Sequence, residues 1–282
     1  MNFFEWFFMA KGREIDGLLS RQHVYATTFI LLHLVGLMIY LGLKYKNDQK
    51  AIDRILKISD FVMIGLYVAE VLDSFFVRII AGTIDLSTFK GQKWLLGTFI
   101  NAMPLYLCDI AIWGIPIIAF TKGKPRLILS NFLAIWGIPM GVIGTYLAGN
   151  VFLNRPVFSF DGFLCIFIHV VPAALTVFLY ITKTARLEKK SMWQTLICFV
   201  IFSAFVLVYD YIFFPNFETN FMFFFTGDGT PFDLFRPYVD LWVYQVIVFV
   251  LYFLYMFLFY IVYFAIEKKL KSKKVEIPIN AA

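Results

Sequence analysis

Ionisable and thiol side chains within long apolar stretches are the residues of this chain best suited to chemistry. A charged group in hydrocarbon is costly and marks a functional site by default. The candidate catalytic residues are Glu70, Tyr106, Cys108, Asp109, Cys165 and His169, and the candidate substrate-binding residues are Asp73, Asn101, Asp210 and Asn220. A thiol beside an imidazole base can form an acyl intermediate. A group of carboxylates can instead hold a cation or a proton, so the residue types allow two kinds of site.

Helical spacing brings some of these side chains together. Asp161, Cys165 and His169 follow an i, i+4, i+8 pattern and share one helix face. Tyr106 and Asp109 are three residues apart in a stretch that is also expected to be helical. Because carboxylates facing lipid are costly, we expect Glu70, Asp109 and His169 to face the bundle interior and to converge on one cavity.

Seven apolar stretches must position these residues. A helix that crosses a bilayer needs ~20 apolar residues, and its backbone polar groups are satisfied internally. The predicted spans are 24–43, 59–81, 97–120, 128–149, 160–182, 192–214 and 241–266. The chain is 61% hydrophobic and 16% charged, which excludes a soluble domain of 282 residues. The predicted fold is therefore all-α, a polytopic membrane bundle of seven transmembrane helices.

The basic residues indicate the orientation of this bundle. Of the 25 lysines and arginines, 17 lie in the loops after spans one, three and five and in the C-terminal tail. All of these segments fall on one side of a seven-span arrangement. The positive-inside rule then predicts an external N-terminus and a cytoplasmic C-terminus. The net charge of +6 is explained by topology and by contact with anionic lipid, and no nucleic-acid partner is expected.

The chain divides into three predicted segments: an interfacial segment over 1–22, a seven-helix membrane domain over 23–267 and a basic cytoplasmic tail over 268–282. The three cysteines lack the paired spacing of a disulfide or a zinc site, so no metal and no cofactor is predicted. The expected partners are membrane lipids and a small-molecule or lipid substrate, in a cell membrane that is most simply a bacterial plasma membrane. The oligomeric state is left open.

Four segments together resemble a known family. They are Gln22–His23, Glu70, Met103–Asp109 and Phe217–Met222. Their order and positions are similar to those in the YwaF family of bacterial integral membrane proteins, which is related to the eukaryotic transmembrane protein 164 family. The resemblance covers about residues 20–266.

The resemblance implies an acyltransferase that acts on lipid through a Cys and a His inside the membrane. Aligned on Pro104, the family's Cys and His positions are occupied by Leu105 and Tyr106, while Cys108 lies three residues beyond Leu105. Glu70 matches the family directly. The sequence thus supports an acyltransferase-like protein whose Cys/His site is altered. The alternative is a transporter or binding protein for a cation or small solute, which would use the carboxylates.

Overall fold

The computed structural model of the chain describes residues 5, 7–8, 14–80, 84–147, 156–227 and 231–275. Within these residues there are eight α-helices and no β-strand, which confirms the all-α prediction. The helices are α1 (Arg21–Tyr45), α2 (Gln49–Ile80), α3 (Phe89–Asn101), α4 (Ile110–Phe120), α5 (Lys124–Tyr146), α6 (Phe160–Ile181), α7 (Lys189–Phe217) and α8 (Leu241–Val275). Two short 3₁₀ turns, Pro231–Leu234 and Arg236–Tyr238, precede α8.

Five of these helices are long and apolar enough to cross a membrane: α1, α5, α6, α7 and the Leu241–Lys269 part of α8. The 32-residue helix α2 is long enough, but Asp60, Glu70 and Asp73 interrupt its apolar sequence. The chain is therefore a multi-pass membrane protein. Seven spans and the orientation of the termini stay predictions.

The prediction of one continuous helix over residues 97–120, the third predicted span, is wrong. Helix α3 ends at Asn101, α4 begins at Ile110, and a non-helical break lies between them. Pro104 lacks a backbone N–H and disfavours helical geometry at the residue before it. With 13 and 11 residues, the two helices are about 20 and 17 Å long at 1.5 Å per residue. The helical spacing expected for Tyr106 and Asp109 is therefore absent.

Close packing of α5 against α6 forms the centre of the bundle. A side chain added at Gly137 would overlap the Thr176 hydroxyl, and one added at Gly141 would lie 2.5 Å from the Cβ of Ala173. Glycines four residues apart allow helix backbones to approach closely in a membrane. The Thr176 hydroxyl uses this proximity and donates a hydrogen bond to the Leu133 carbonyl at 3.1 Å.

An ion pair joins α2 to α5 at the end of the bundle predicted to be cytoplasmic. The Arg126 guanidinium lies 2.7 Å from Asp53 Oδ1, and Gln49 donates a second hydrogen bond at 2.8 Å. Partial burial raises the pKa of Asp53, but Arg126 and Gln49 outweigh it and hold this pKa below its ordinary value. The carboxylate therefore stays charged and ties the two helices together near neutral pH.

Residues 218–227, which we name the inserted loop, fold back among the helices after α7. Phe221, Met222 and Phe224 are all at most 1% exposed and belong to the same apolar cluster as parts of α5, α7 and α8. The Phe221 amide donates to Asp210 Oδ2 at 3.1 Å, and the Tyr244 hydroxyl donates to a carbonyl of the loop at 2.8 Å. The loop is thus part of the core rather than an external excursion.

The ends of the chain are described only in part. Helix α8 continues to Val275, beyond residue 267, where the membrane domain was expected to end. Residues 276–282 of the predicted tail and most of residues 1–13 lie outside the described residues. The three-segment division of the chain therefore stays a prediction.

Candidate functional site

The break between α3 and α4 is organised around Asp109, which directly precedes α4. The Cys108 thiol donates to Asp109 Oδ1 at 3.7 Å, and the Tyr106 amide donates to Asp109 Oδ2 at 3.3 Å. Irregular backbone at membrane depth is tolerated only where protein surrounds it. The Asp109 carboxylate thus accepts hydrogen bonds from the thiol and from the Tyr106 amide, a backbone donor in this non-helical segment.

A small pocket connects this break with α6. Cys108 and His169 both line it, and it has room for about one water molecule. The remaining lining residues are Leu107, Leu133, Gly137, Met140, Gly141 and Pro172. Of the three residues expected to share one cavity, His169 lines this pocket, whereas Glu70 and Asp109 do not.

The hydrogen bond of His169 determines which ring nitrogen can act as a base. Nδ1 lies 2.7 Å from the Cys165 carbonyl oxygen, which can only accept, so Nδ1 carries the hydrogen. In the neutral ring Nε2 is then the unprotonated nitrogen. Nε2 has no hydrogen-bond partner within the described part of the chain. His169 is thus preset to accept a proton at Nε2.

Cys165 approaches the opposite nitrogen of this ring. Its sulfur lies 3.9 Å from His169 Nδ1, the atom that already donates to the Cys165 carbonyl. A nitrogen that carries a hydrogen cannot take a proton from a thiol. Of the two candidate thiols, Cys108 therefore has the more suitable placement, because it shares the pocket with His169.

Because Gly144 has no side chain, it leaves the space that the imidazole of His169 occupies. The Cδ2–Nε2 edge of His169 packs so closely on Gly144 that a Cβ there would overlap the ring. Together with Gly137 and Gly141, Gly144 gives α5 a glycine-rich side against α6. This side fixes the position of His169 relative to the pocket.

Carboxyl groups gather beside the break. Half-buried Glu70 of α2 lies within electrostatic range of Asp109 and of Asp161, which belongs to the first turn of α6. Asp73 is buried on α2, one turn beyond Glu70. Among the described residues, no group of three or more His, Cys, Asp or Glu side chains is arranged to hold a metal ion. The structure thus brings Glu70 and Asp109 to the same region as Cys108.

A comparison with family models identifies the family of the chain. A model of the TMEM164 family matches residues 18–263. The chain belongs to the TMEM164 family. Comparisons with curated proteins and with solved structures found no match. The relationship to this family predicted from the sequence is confirmed, and the match includes α1 to α7, the inserted loop and most of α8.

Three predicted substrate-binding residues of this TMEM164 member have structural contacts. Asn101 donates to the Phe217 carbonyl at 3.1 Å and so links the end of α3 to the end of α7. Asp210 accepts the hydrogen bond from the Phe221 amide of the inserted loop. Asn220 is 3% exposed, and its side chain donates to the Thr226 carbonyl at 2.8 Å and accepts from the Phe225 amide at 3.0 Å. These contacts hold the loop, and a role in substrate binding stays a prediction.

Tyr106 connects the break with the inserted loop. Its ring packs edge-to-face on Phe221, with 5.0 Å between the centroids, and lies 6.1 Å from the Phe223 ring. The loop therefore covers the side of the break that Tyr106 occupies.

Sequence reasoning missed the glycines of α5. The spacing of Gly137 and Gly141 is the small-xxx-small pattern of closely packed membrane helices, and this signal was present in the sequence. His23 was noticed only as part of a family motif. It is fully buried, and its Nε2 lies 2.8 Å from the Thr145 carbonyl, so it joins α1 to α5 close to Gly144.

Proposed function

We propose that this protein is a membrane-embedded lipid acyltransferase of the YwaF branch, with Cys108 as nucleophile and His169 as general base. The observation that carries the proposal is that both side chains line one pocket, one from the break and one from α6. The hydrogen bond of Nδ1 to the Cys165 carbonyl leaves Nε2 as the acceptor. A thiol needs a base within reach to become a nucleophile, and His169, which lines the same pocket, is the proposed base.

The proposed reaction proceeds in two halves. The thiol proton passes to His169 Nε2, and the sulfur of Cys108 attacks the ester carbonyl carbon of a glycerolipid. A sulfur–carbon bond forms, the ester carbon–oxygen bond breaks, and the departing alcohol takes the proton from Nε2. A second lipid hydroxyl then loses its proton to Nε2, attacks the thioester and receives the acyl group. The Cys108 sulfur leaves and recovers the proton, so no oxidant or reductant is needed.

Asp109 and Glu70 have supporting roles in this proposal. Asp109 accepts the resting thiol hydrogen and holds the backbone of the break, so it orients Cys108. Glu70 lies within electrostatic range of Cys108 and Asp109, and in this proposal it is a polar neighbour of the break. Tyr106 packs the break against the inserted loop and keeps Cys108 in position.

The test uses the full chain in phospholipid nanodiscs that contain a glycerolipid with an alkyne-tagged acyl chain. Mass spectrometry should locate the tag on Cys108. Cys108→Ser should abolish tagging, and His169→Ala should slow it about 10²-fold or more, the usual contribution of a general base. Cys198→Ser is the matched control, because Cys198 is a half-buried membrane thiol on α7, and it should be tagged normally.

Full acyl transfer by Cys108→Ser would rule out this chemistry.

A second function, binding or transport of a cation, is favoured by the proximity of Glu70, Asp109 and Asp161. Glu70→Gln with Asp109→Asn should abolish cation-coupled uptake into liposomes if that function holds. Uptake by the native protein together with an untagged Cys108 would favour transport over acyl transfer.

A further inference from the structure

Trp136 carries a buried hydrogen-bond donor that has no acceptor among the described residues, and Tyr252 packs beside it. Trp136 of α5 is 2% exposed, and its indole N–H is unpaired. Tyr252 of α8 is 7% exposed, and its hydroxyl takes part in no hydrogen bond within the described part of the chain. Buried polar groups nearly always have partners, and Trp and Tyr usually find one for their polar atoms. The unpaired indole N–H, with the Tyr252 ring packed against its ring, suggests that a ligand supplies the acceptor.

Helix α5 and an apolar cluster connect these two residues with the pocket. Trp136 comes three residues after Leu133 and four before Met140, both of which line the pocket, so the three are neighbours on the surface of α5. Leu107 also lines the pocket and belongs to the same apolar cluster as Trp136 and Tyr252. The ring of Tyr252 meets that of Trp136 edge-to-face, with 5.7 Å between centroids.

Tyr252 lies within electrostatic range of the Cys108 thiol, whose sulfur is the proposed nucleophile. Three further rings surround the pair: Phe232 lies 5.4 Å from Tyr252, while Phe199 lies 6.0 Å and Tyr255 4.7 Å from Trp136. These rings make the surroundings of the pair apolar, and a hydrogen bond formed in apolar surroundings is stronger than one in solvent.

We infer that Tyr252 and Trp136 bind the carbonyl oxygen of the acyl group that is transferred at Cys108. The inference rests on the proposed function and deepens it. An indole N–H can only donate, so the oxygen it binds must be an acceptor, as the carbonyl of an ester or thioester is. Negative charge grows on that oxygen when the sulfur adds to the carbonyl carbon. Donors already in place stabilise this charge, as in an oxyanion hole.

The experiment measures acylation of the full chain in nanodiscs by para-nitrophenyl octanoate labelled with ¹³C at the carbonyl. Release of nitrophenolate in the first turnover reports the acylation rate. Tyr252→Phe should slow this burst by about 10²-fold or more, the usual cost of losing one oxyanion donor. Trp136→Phe should also slow it.

Tyr260→Phe is the matched control for loss of a buried hydroxyl on the same helix. Tyr260 is fully buried, and its hydroxyl donates to Thr195 at 3.1 Å. Its substitution removes a hydrogen bond from the core and should leave the burst rate unchanged.

The infrared band of the labelled thioester gives a readout that a packing defect would not reproduce. Hydrogen bonds to a carbonyl oxygen lower its stretching frequency. In the native protein the band should lie below that of the same thioester after denaturation in SDS, and it should rise in Tyr252→Phe. The native comparison alone decides the matter if the variants do not fold.

The outcomes separate the two proposals. Acylation of Cys108 with an unshifted band, or with native burst rates in Tyr252→Phe and Trp136→Phe, overturns this inference and leaves the acyltransferase proposal standing. Absence of acylation at Cys108 in the native protein overturns both.

Discussion

His169 has its base nitrogen selected by its own helix. The Nδ1 hydrogen is donated to the backbone carbonyl four residues earlier, so no carboxylate is needed to set the tautomer of the ring. Glu70 and Asp109 therefore need not orient the ring. The structure explains why Cys165 at i−4 is close to His169 in sequence and space but faces the wrong nitrogen.

A single methyl group at Gly144 tests this placement. In Gly144→Ala the new Cβ overlaps the His169 ring and forces it away from its present position. We expect the acylation rate at Cys108 to fall at least about tenfold, with a stability loss of about 1–3 kcal/mol from overpacking. Burst kinetics and thermal unfolding in nanodiscs measure the two effects.

Gly65→Ala is the control for that substitution, because a Cβ at Gly65 meets no atom within 4 Å. It should retain the native acylation rate. Native kinetics in Gly144→Ala would contradict the assigned role of the ring.

The residues that sequence analysis found and missed follow a physical pattern. Cys108 and His169 were identified because a thiol or an imidazole within an apolar stretch can be recognised from the sequence alone. Trp136 and Tyr252 were missed because aromatic residues are common in such stretches, and only the tertiary structure reveals that their donors are unpaired. The glycine spacing of α5 was detectable and would have indicated the close approach to α6.

At the scale of elements, hydropathy located most of the helices but not the break. An apolar window averages over residues 102–109, so Pro104 disappears among its neighbours. Proline geometry favours an interruption at this position, and the sequence analysis did not take it into account. The inserted loop was missed for a related reason. Its phenylalanines follow a predicted span and resemble a loop that lies at the membrane surface.

Asp210 should control how firmly the inserted loop is held. In Asp210→Ala the buried amide of Phe221 loses its acceptor, which costs about 1–3 kcal/mol. We expect faster hydrogen exchange in residues 219–225 and unchanged exchange in α5 and α6. Exchange followed by mass spectrometry in nanodiscs measures both regions.

Asp210→Asn serves as the comparison, because its amide oxygen can still accept the bond. It should protect the loop better than Asp210→Ala. Equal protection in both variants and the native protein would show that the loop is held by other contacts.

For the whole molecule, the sequence predicted a helical membrane protein more reliably than the number of its spans. Five helices qualify by length and composition, and α2, α3 and α4 depart from that standard through charges or shortness. Glu70 of α2 and Asp109 of the break between α3 and α4 are polar groups of the candidate site. The deviations from an ideal span and the candidate chemistry thus occur in the same part of the bundle.

The distribution of basic residues predicts the topology of the whole chain. Reporter fusions after Lys50, Lys124, Leu187 and Ser272 should all show a cytoplasmic location, because the positive-inside rule places these segments on one side. Alkaline phosphatase and green fluorescent protein fusions give opposite signals on the two sides. An external location for two of the four would contradict the seven-span arrangement.

The contact of Tyr106 with Phe221 has a consequence for biosynthesis. The ribosome completes the break more than a hundred residues before it reaches the loop that covers it. Until then, the side of the irregular backbone that carries Tyr106 is not covered by the inserted loop. A nascent chain is therefore expected to lack a formed site until translation has passed Phe225, and incomplete chains stalled earlier would be inert in the membrane.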